Sequence, residues 1–132
     1  MSDSVVTVAP DDRLGEAVNL LRSKRIRQLP VIEDGRLVGI ITDRDIKRAT
    51  PSVLSGVDRE EYDRILDETK VMQFMTREPM TATPDTPVKA AVRIFITQKV
   101  GALPVIDDGR LVGIVTQIDA LRAFYNTLTE ED

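Results

Sequence analysis

Leu29-Pro30-Val31-Ile32-Glu33-Asp34-Gly35-Arg36-Leu37-Val38-Gly39-Ile40-Ile41-Thr42 returns later in the chain as Leu103-Pro104-Val105-Ile106-Asp107-Asp108-Gly109-Arg110-Leu111-Val112-Gly113-Ile114-Val115-Thr116, with twelve of the fourteen positions identical. The offset of 74 residues continues without a gap outside this stretch. It aligns Thr7 with Thr81, Pro10-Asp11 with Pro84-Asp85, Ala17-Val18 with Ala91-Val92, and Asp45 with Asp119. A constant offset over that distance means one unit duplicated in tandem.

The repeated stretch also discloses its local structure. Two runs rich in β-branched residues, Leu29 to Glu33 and Arg36 to Ile41, flank Asp34-Gly35. An Asp-Gly pair tolerates the positive φ of a tight turn, so the runs are predicted to form an antiparallel hairpin. Upstream, Leu14, Ala17, Val18 and Leu21 recur at helical spacing after Pro10-Asp11-Asp12, which predicts a helix near residues 12–24. A second helical pattern follows Thr42 through Ala49, and its counterpart after Thr116 extends to about Leu128. With a short leading strand the unit reads β-α-β-β-α, and the fold class is α+β.

A unit this small buries too little surface to stand alone, so the two copies are expected to pack together about a pseudo-twofold axis. The expected organisation is a first repeat over 1–50, a connector over 51–74 and a second repeat over 75–132. Within the connector, Asp58 to Lys70 is highly charged and spaces Tyr62, Ile65 and Leu66 as one helical face, which predicts a surface helix packed lightly on the rest. It reads as a linker or, alternatively, as a lever that senses an effector.

Composition narrows the chemistry. The 132 residues are 42% hydrophobic and 30% charged, an ordinary globular profile. Cysteine and histidine are both absent, which removes disulfides, thiolate and imidazole metal ligands, Cys nucleophiles and His general bases. A net charge of −4 gives no global attraction to nucleic acid or to anionic membranes. No apolar run approaches the length of a membrane span, and Met1-Ser2-Asp3-Ser4 lacks the pattern of a signal peptide, so a cytoplasmic location is expected.

Taken with Gly39-Ile40-Ile41-Thr42-Asp43-Arg44-Asp45, Gly113-Ile114-Val115-Thr116-Gln117-Ile118-Asp119 and Met75-Thr76 ahead of Pro79, the repeat resembles the CBS domain in its paired form, the Bateman module. The resemblance covers roughly residues 1–49 and 75–125. Lys47-Arg48-Ala49-Thr50-Pro51-Ser52 and the helical connector are similar to the acetoin-utilisation type of CBS protein.

In each copy a strand ends in Gly-Ile-[Ile/Val]-Thr, and an Asp follows the Thr by three residues at the start of a helix. A carboxylate there can accept two hydrogen bonds from a vicinal diol such as the ribose 2′- and 3′-hydroxyls, with the Thr hydroxyl adding a third contact. The same spacing is close to a helix capping box, and both roles can coexist. The ribose residues expected are Thr42, Asp45, Thr116 and Asp119.

The family resemblance implies a nucleotide in a cleft between the copies. By position, one site would take Val6, Ile26 and Arg27 with Thr116, Ile118 and Asp119; the other would take Met80, Val100 and Gly101 with Thr42, Arg44 and Asp45. The apolar members suit a purine, although each also reads as ordinary core at a strand end. Lys24-Arg25-Ile26-Arg27 stands opposite Gln98-Lys99-Val100-Gly101 in the other copy, so the two sites should be unequal, with Arg27 favouring charged nucleotides. Cations at a helix C-terminus account for the basic cluster equally well.

The function expected is regulatory ligand binding, of AMP, ADP, ATP or S-adenosylmethionine, with the output passed to an unidentified effector protein or through a homodimer. The alternative is a dimerising scaffold with vestigial sites, for which Leu20, Phe95 and Leu121 are candidate interface positions. No catalytic or metal-ligating residues are expected: Glu60-Glu61 lies in the charged connector and Asp107-Asp108 in a hairpin turn.

Overall fold

The structure is a computed structural model that describes residues 5–50, 59–98 and 100–130, with side chains through Leu128. Residues 1–4, Pro51 and Ser52 of the acetoin-type stretch, Asp58 and Lys99 lie outside the described residues. The backbone divides into two compact units, one over Val6–Pro79 and one taking in the chain from Met80 onward.

In the first unit, α1 (Leu14–Ser23) buries Leu14, Ala17, Val18 and Leu21, the four residues whose spacing predicts it. It begins two residues later than expected. The Asp12 carboxylate accepts from the Ala9 N–H at 2.8 Å and turns the chain before the helix starts. At the other end the Ile26 N–H returns to the Leu21 carbonyl at 3.0 Å, with Arg25 at φ 55°. That is the left-handed helix stop usually given to glycine.

Strands β1 (Gln28–Glu33) and β2 (Arg36–Thr42) pair antiparallel, with a register shift between Val31 and Ile32. Asp34 and Gly35 sit at φ 53° and 80°, the two positive angles that a two-residue hairpin with the natural strand twist demands. The leading strand is a single parallel bridge: the Val8 N–H donates to the Pro30 carbonyl and the Ile32 N–H donates to the Val8 carbonyl. It stops there because the next residue whose N–H would face β1 is Pro10, which has none, while the Ala9 N–H points away from β1 and is held by Asp12. Helix α2 (Asp43–Ala49) follows β2 without a break.

Beyond the undescribed residues, α3 (Arg59–Glu68) has no buried residue; Tyr62, Ile65 and Leu66 are half-buried, as a lightly packed helix requires. The chain then enters the core. Val71 is fully buried in a cluster with Leu14, Leu29, Val31 and Ile41, and its N–H donates to the Asp12 carbonyl at 2.8 Å. Met75 joins the same cluster, and β3 (Thr76–Arg77) pairs antiparallel with β2 at Gly39 and Ile40.

The second unit repeats the pattern. Helix α4 (Val88–Gln98) buries Ala91 and Phe95; β4 (Ala102–Asp107) and β5 (Arg110–Thr116) form the hairpin, with the same register shift at Val105 and Ile106. Asp108 and Gly109 repeat the turn at φ 54° and 80°. Ala82 makes the single parallel bridge to Val105, and the following N–H, that of Thr83, is taken by the Thr86 hydroxyl at 2.8 Å. Helix α5 (Gln117–Glu130) closes the unit and is twice the length of α2. Among the described residues, no helix is long and apolar enough to cross a membrane.

Candidate ligand-binding site

Both Thr-x-x-Asp junctions fold as capping boxes. At the head of α2 the Thr42 N–H donates to Asp45 Oδ2 at 2.9 Å, while the Asp45 N–H donates to Thr42 Oγ1 at 3.2 Å. At the head of α5 the Thr116 N–H donates to Asp119 Oδ2 at 3.0 Å and the Asp119 N–H to Thr116 Oγ1 at 3.2 Å. The mutual bonds satisfy donors that a helix start leaves unpaired, and they fix each carboxylate against the end of its strand.

The two carboxylates nonetheless stand in different surroundings. Asp45 is 4% exposed, and the Arg48 guanidinium donates to its Oδ1 at 2.6 Å. The same Arg48 nitrogen reaches the Phe74 carbonyl at 3.2 Å, and the Thr76 hydroxyl makes long contacts of 3.4 and 3.5 Å to the two carboxylate oxygens. Asp119 is half-buried and lines a cavity of about 280 Å³. The cavity has apolar walls from Ala82, Ala91, Val105, Val115 and Ala123 and a polar edge from Thr83 and Thr86. Alanine is what opens it, since longer side chains on α4 and α5 would fill the space. The Thr116 N–H holds the Asp119 carboxyl below the ordinary aspartate value, outweighing partial desolvation, with the Thr116 hydroxyl and the Arg122 charge acting in the same direction.

The other residues expected in a site are distributed as follows. In the first unit, Val6 and Ile26 pack half-buried against the core, as the strand-end reading has it; Arg27 is exposed and its carbonyl accepts from the Asp43 N–H at 3.0 Å; Arg44 is exposed. In the second, Val100 packs on the core and its carbonyl accepts from the Gln117 side chain at 3.1 Å, while Met80, Gly101 and Ile118 are exposed. Arg48, Thr76, Thr83 and Thr86 also stand near the two carboxylates, with no binding role legible in their local sequence. Only the Thr-rich run from Thr81 to Thr86 carried a visible signal, and that signal was for turn formation.

Of the acidic pairs, Glu60 and Glu61 are exposed on α3, and Asp108 occupies the hairpin turn beside Asp107. Another cavity, of about 340 Å³, lies in the first unit among Val18, Leu21, Ile46 and Tyr62, rimmed by Arg22 and Lys47.

Two strand-to-helix carboxylates in tandem α+β units are accompanied by a direct match: residues 1–52 and 71–126 each fit the CBS domain family. The chain belongs to that family. A CBS domain-containing protein of Dictyostelium discoideum is 40% identical over 123 residues, covering 92% of this chain and 85% of its own. CBSX2 of Arabidopsis thaliana, solved in complex with AMP, superposes with a TM-score of 0.77 at 32% identity, over 95% of this chain and 91% of that one. The CBS domain pair of protein MJ0100, solved with 5′-methylthioadenosine and S-adenosyl-L-methionine, gives a TM-score of 0.73 at 31% identity, over 93% of each chain. The expected fold, tandem CBS domains of α+β class, is what the structure contains.

Proposed function

We propose that this CBS pair is a regulatory module that binds an adenine nucleotide or an adenosyl compound, with Asp45 and Asp119 as ribose-binding carboxylates assisted by Thr42 and Thr116. The observation that carries the reading is Asp119: an ionised carboxylate at a strand-to-helix junction, lining a cavity with apolar walls. Its volume is near the lower end of the roughly 300–1,000 Å³ of small-molecule sites. The AMP and S-adenosylmethionine complexes of CBSX2 and MJ0100 support the ligand class. Val6, Ile26, Met80, Val100, Gly101 and Ile118 are proposed for the purine, and Arg27 and Arg44 for phosphate.

Such a module would act by shifting the conformational equilibrium of an effector protein, to the extent that the ligand prefers one state over the other. It would work in the cytoplasm, with no catalytic step of its own. Isothermal titration with AMP, ADP, ATP and S-adenosylmethionine tests the reading. Binding of at least one is expected, and absence of heat across the panel at millimolar ligand would overturn it.

One observation favours a second reading, a scaffold that dimerises. On α5, Ile118, Leu121, Phe124, Tyr125 and Leu128 form an exposed apolar stripe, and Ile96 on α4 is 73% exposed. Ile96, Leu121 and Phe124 stand where the first repeat has Arg22, Lys47 and Thr50, so this face is apolar in one copy only. An exposed apolar surface of this kind marks an interaction site. Light scattering of the wild type and of Leu121→Asp separates the readings: a dimer that dissociates in the variant, in a protein with no nucleotide affinity, supports the scaffold.

A further inference from the structure

The repeat supplies an internal control for the two carboxylates, because each is followed by an arginine three residues later: Arg48 after Asp45 and Arg122 after Asp119. Identical spacing on a helix would give identical ion pairs if spacing decided the matter. It does not. Arg48 bonds Asp45 Oδ1 at 2.6 Å, whereas among the described residues Arg122 makes no ion pair with Asp119. The difference lies in the second acceptor: the Phe74 carbonyl, carried to α2 by the segment that leads into β3, takes the same Arg48 nitrogen at 3.2 Å and holds the guanidinium over Asp45.

The acceptor positions of the two carboxylates are therefore in different states. Asp45 Oδ2 accepts the Thr42 N–H and Oδ1 accepts Arg48, with the Thr76 hydroxyl close to both. Asp119 Oδ2 accepts the Thr116 N–H, and among the described residues no side chain donates to Oδ1. A vicinal diol offers two O–H donors and needs free lone pairs on the carboxylate it approaches. At Asp119 they are available; at Asp45 the arginine must first be displaced.

Resting on the assignment of these carboxylates to ribose, we infer that Arg48 is an internal competitor for the diol. It makes the Asp45 site the weaker of two adenine-nucleotide sites and leaves Asp119 as the site that fills first. Arg48 is in this sense a specificity-determining residue: it sets the order of filling, and ligand entry at Asp45 would release the Phe74 carbonyl and the segment that carries it. The Arg48 side chain is well exposed, so competition is worth a modest factor, roughly three- to tenfold in affinity.

Titration calorimetry of the full chain with AMP, and with 2′,3′-dideoxy-AMP as a ligand lacking the diol, tests this. Wild type is expected to show two classes of site, the weaker one selectively weakened further by Asp45→Asn. Arg48→Ala should strengthen the weaker class for AMP by three- to tenfold and leave dideoxy-AMP unchanged. Two sites of equal strength in the wild type, or a gain in Arg48→Ala that is the same for both ligands, would overturn the competition while leaving nucleotide binding in place. No binding by any of these proteins would remove the ribose assignment itself, and the inference with it.

Discussion

The Thr76 carbonyl oxygen lies 2.9 Å from where a side chain on Gly39 would begin, and Met75 Sδ lies at 2.8 Å from the same point. Gly39 is thus the residue that lets β3 close on β2, and the backbone oxygen cannot swing aside as a flexible side chain would. Gly39→Ala should destabilise the protein by about 1–3 kcal/mol, the usual cost of overpacking. A lowered midpoint in urea, with the slope unchanged, is the expected result; an unchanged midpoint would mean that β3 shifts freely.

Helix α4 and helix α5 carry apolar residues with opposite fates. Phe95 is 8% exposed and packs with Ala91, Leu103 and Val105, so it belongs to the core and not to an interface. Leu121 is 56% exposed, and Leu20 is half-buried against the other core. Phe95→Ala should therefore cost about 3–5 kcal/mol, and Leu121→Ala less than about 1 kcal/mol in the monomer. Thermal melts at low protein concentration, where association does not contribute, will distinguish the two.

The hairpins, the core face of α1 and the pair of carboxylates could be read from sequence because each rests on a local rule: Asp-Gly at a two-residue turn, apolar residues at i, i+3, i+4 and i+7, an acid three residues after a strand-ending Thr. What could not be read depends on long-range packing. Val71 sits in a connector that reads as a linker or a lever, yet it is fully buried because the chain returns to α1 there. Phe95 and Ile96 are adjacent and both apolar, and only the packing of α4 decides which one faces in. The state of the site is the clearest case. Asp-x-x-Arg occurs in both copies, and the ion pair forms where a carbonyl 26 residues downstream holds the arginine.

The lowered ionisation of Asp119 has a defined consequence for acid stability. The Thr116 N–H donates to the ionised form, so the folded protein holds this carboxylate below its unfolded value. The unfolded state then binds more protons, and the stabilisation is present above the unfolded pKa, about 3.9, and lost as pH falls through the folded value. Wild type should exceed Asp119→Asn in stability at neutral pH, with the gap closing as pH drops below about 4. Urea midpoints measured between pH 7 and pH 3 check this; a gap that stays constant would assign the loss to packing instead of charge.

The proposed ribose role of Asp119 can be separated from its capping role because asparagine keeps the cap and weakens the other. An Asn side-chain oxygen still accepts the Thr116 N–H, so α5 stays capped, but the charge that strengthens hydrogen bonds from a diol is gone. Asp119→Ala removes both. For nucleotide binding, Asp119→Ala should lose about 1.5–3 kcal/mol, the worth of hydrogen bonds to a charged group, and Asp119→Asn a smaller part of it. For stability the alanine variant should lose about 1 kcal/mol, a typical cap, and the asparagine variant less. Binding measured on variants whose circular dichroism matches the wild type keeps the two effects apart. Wild-type affinity in a folded Asp119→Ala protein would leave the carboxylate as a helix cap alone, and the cavity beside it without a ligand-facing charge from this residue.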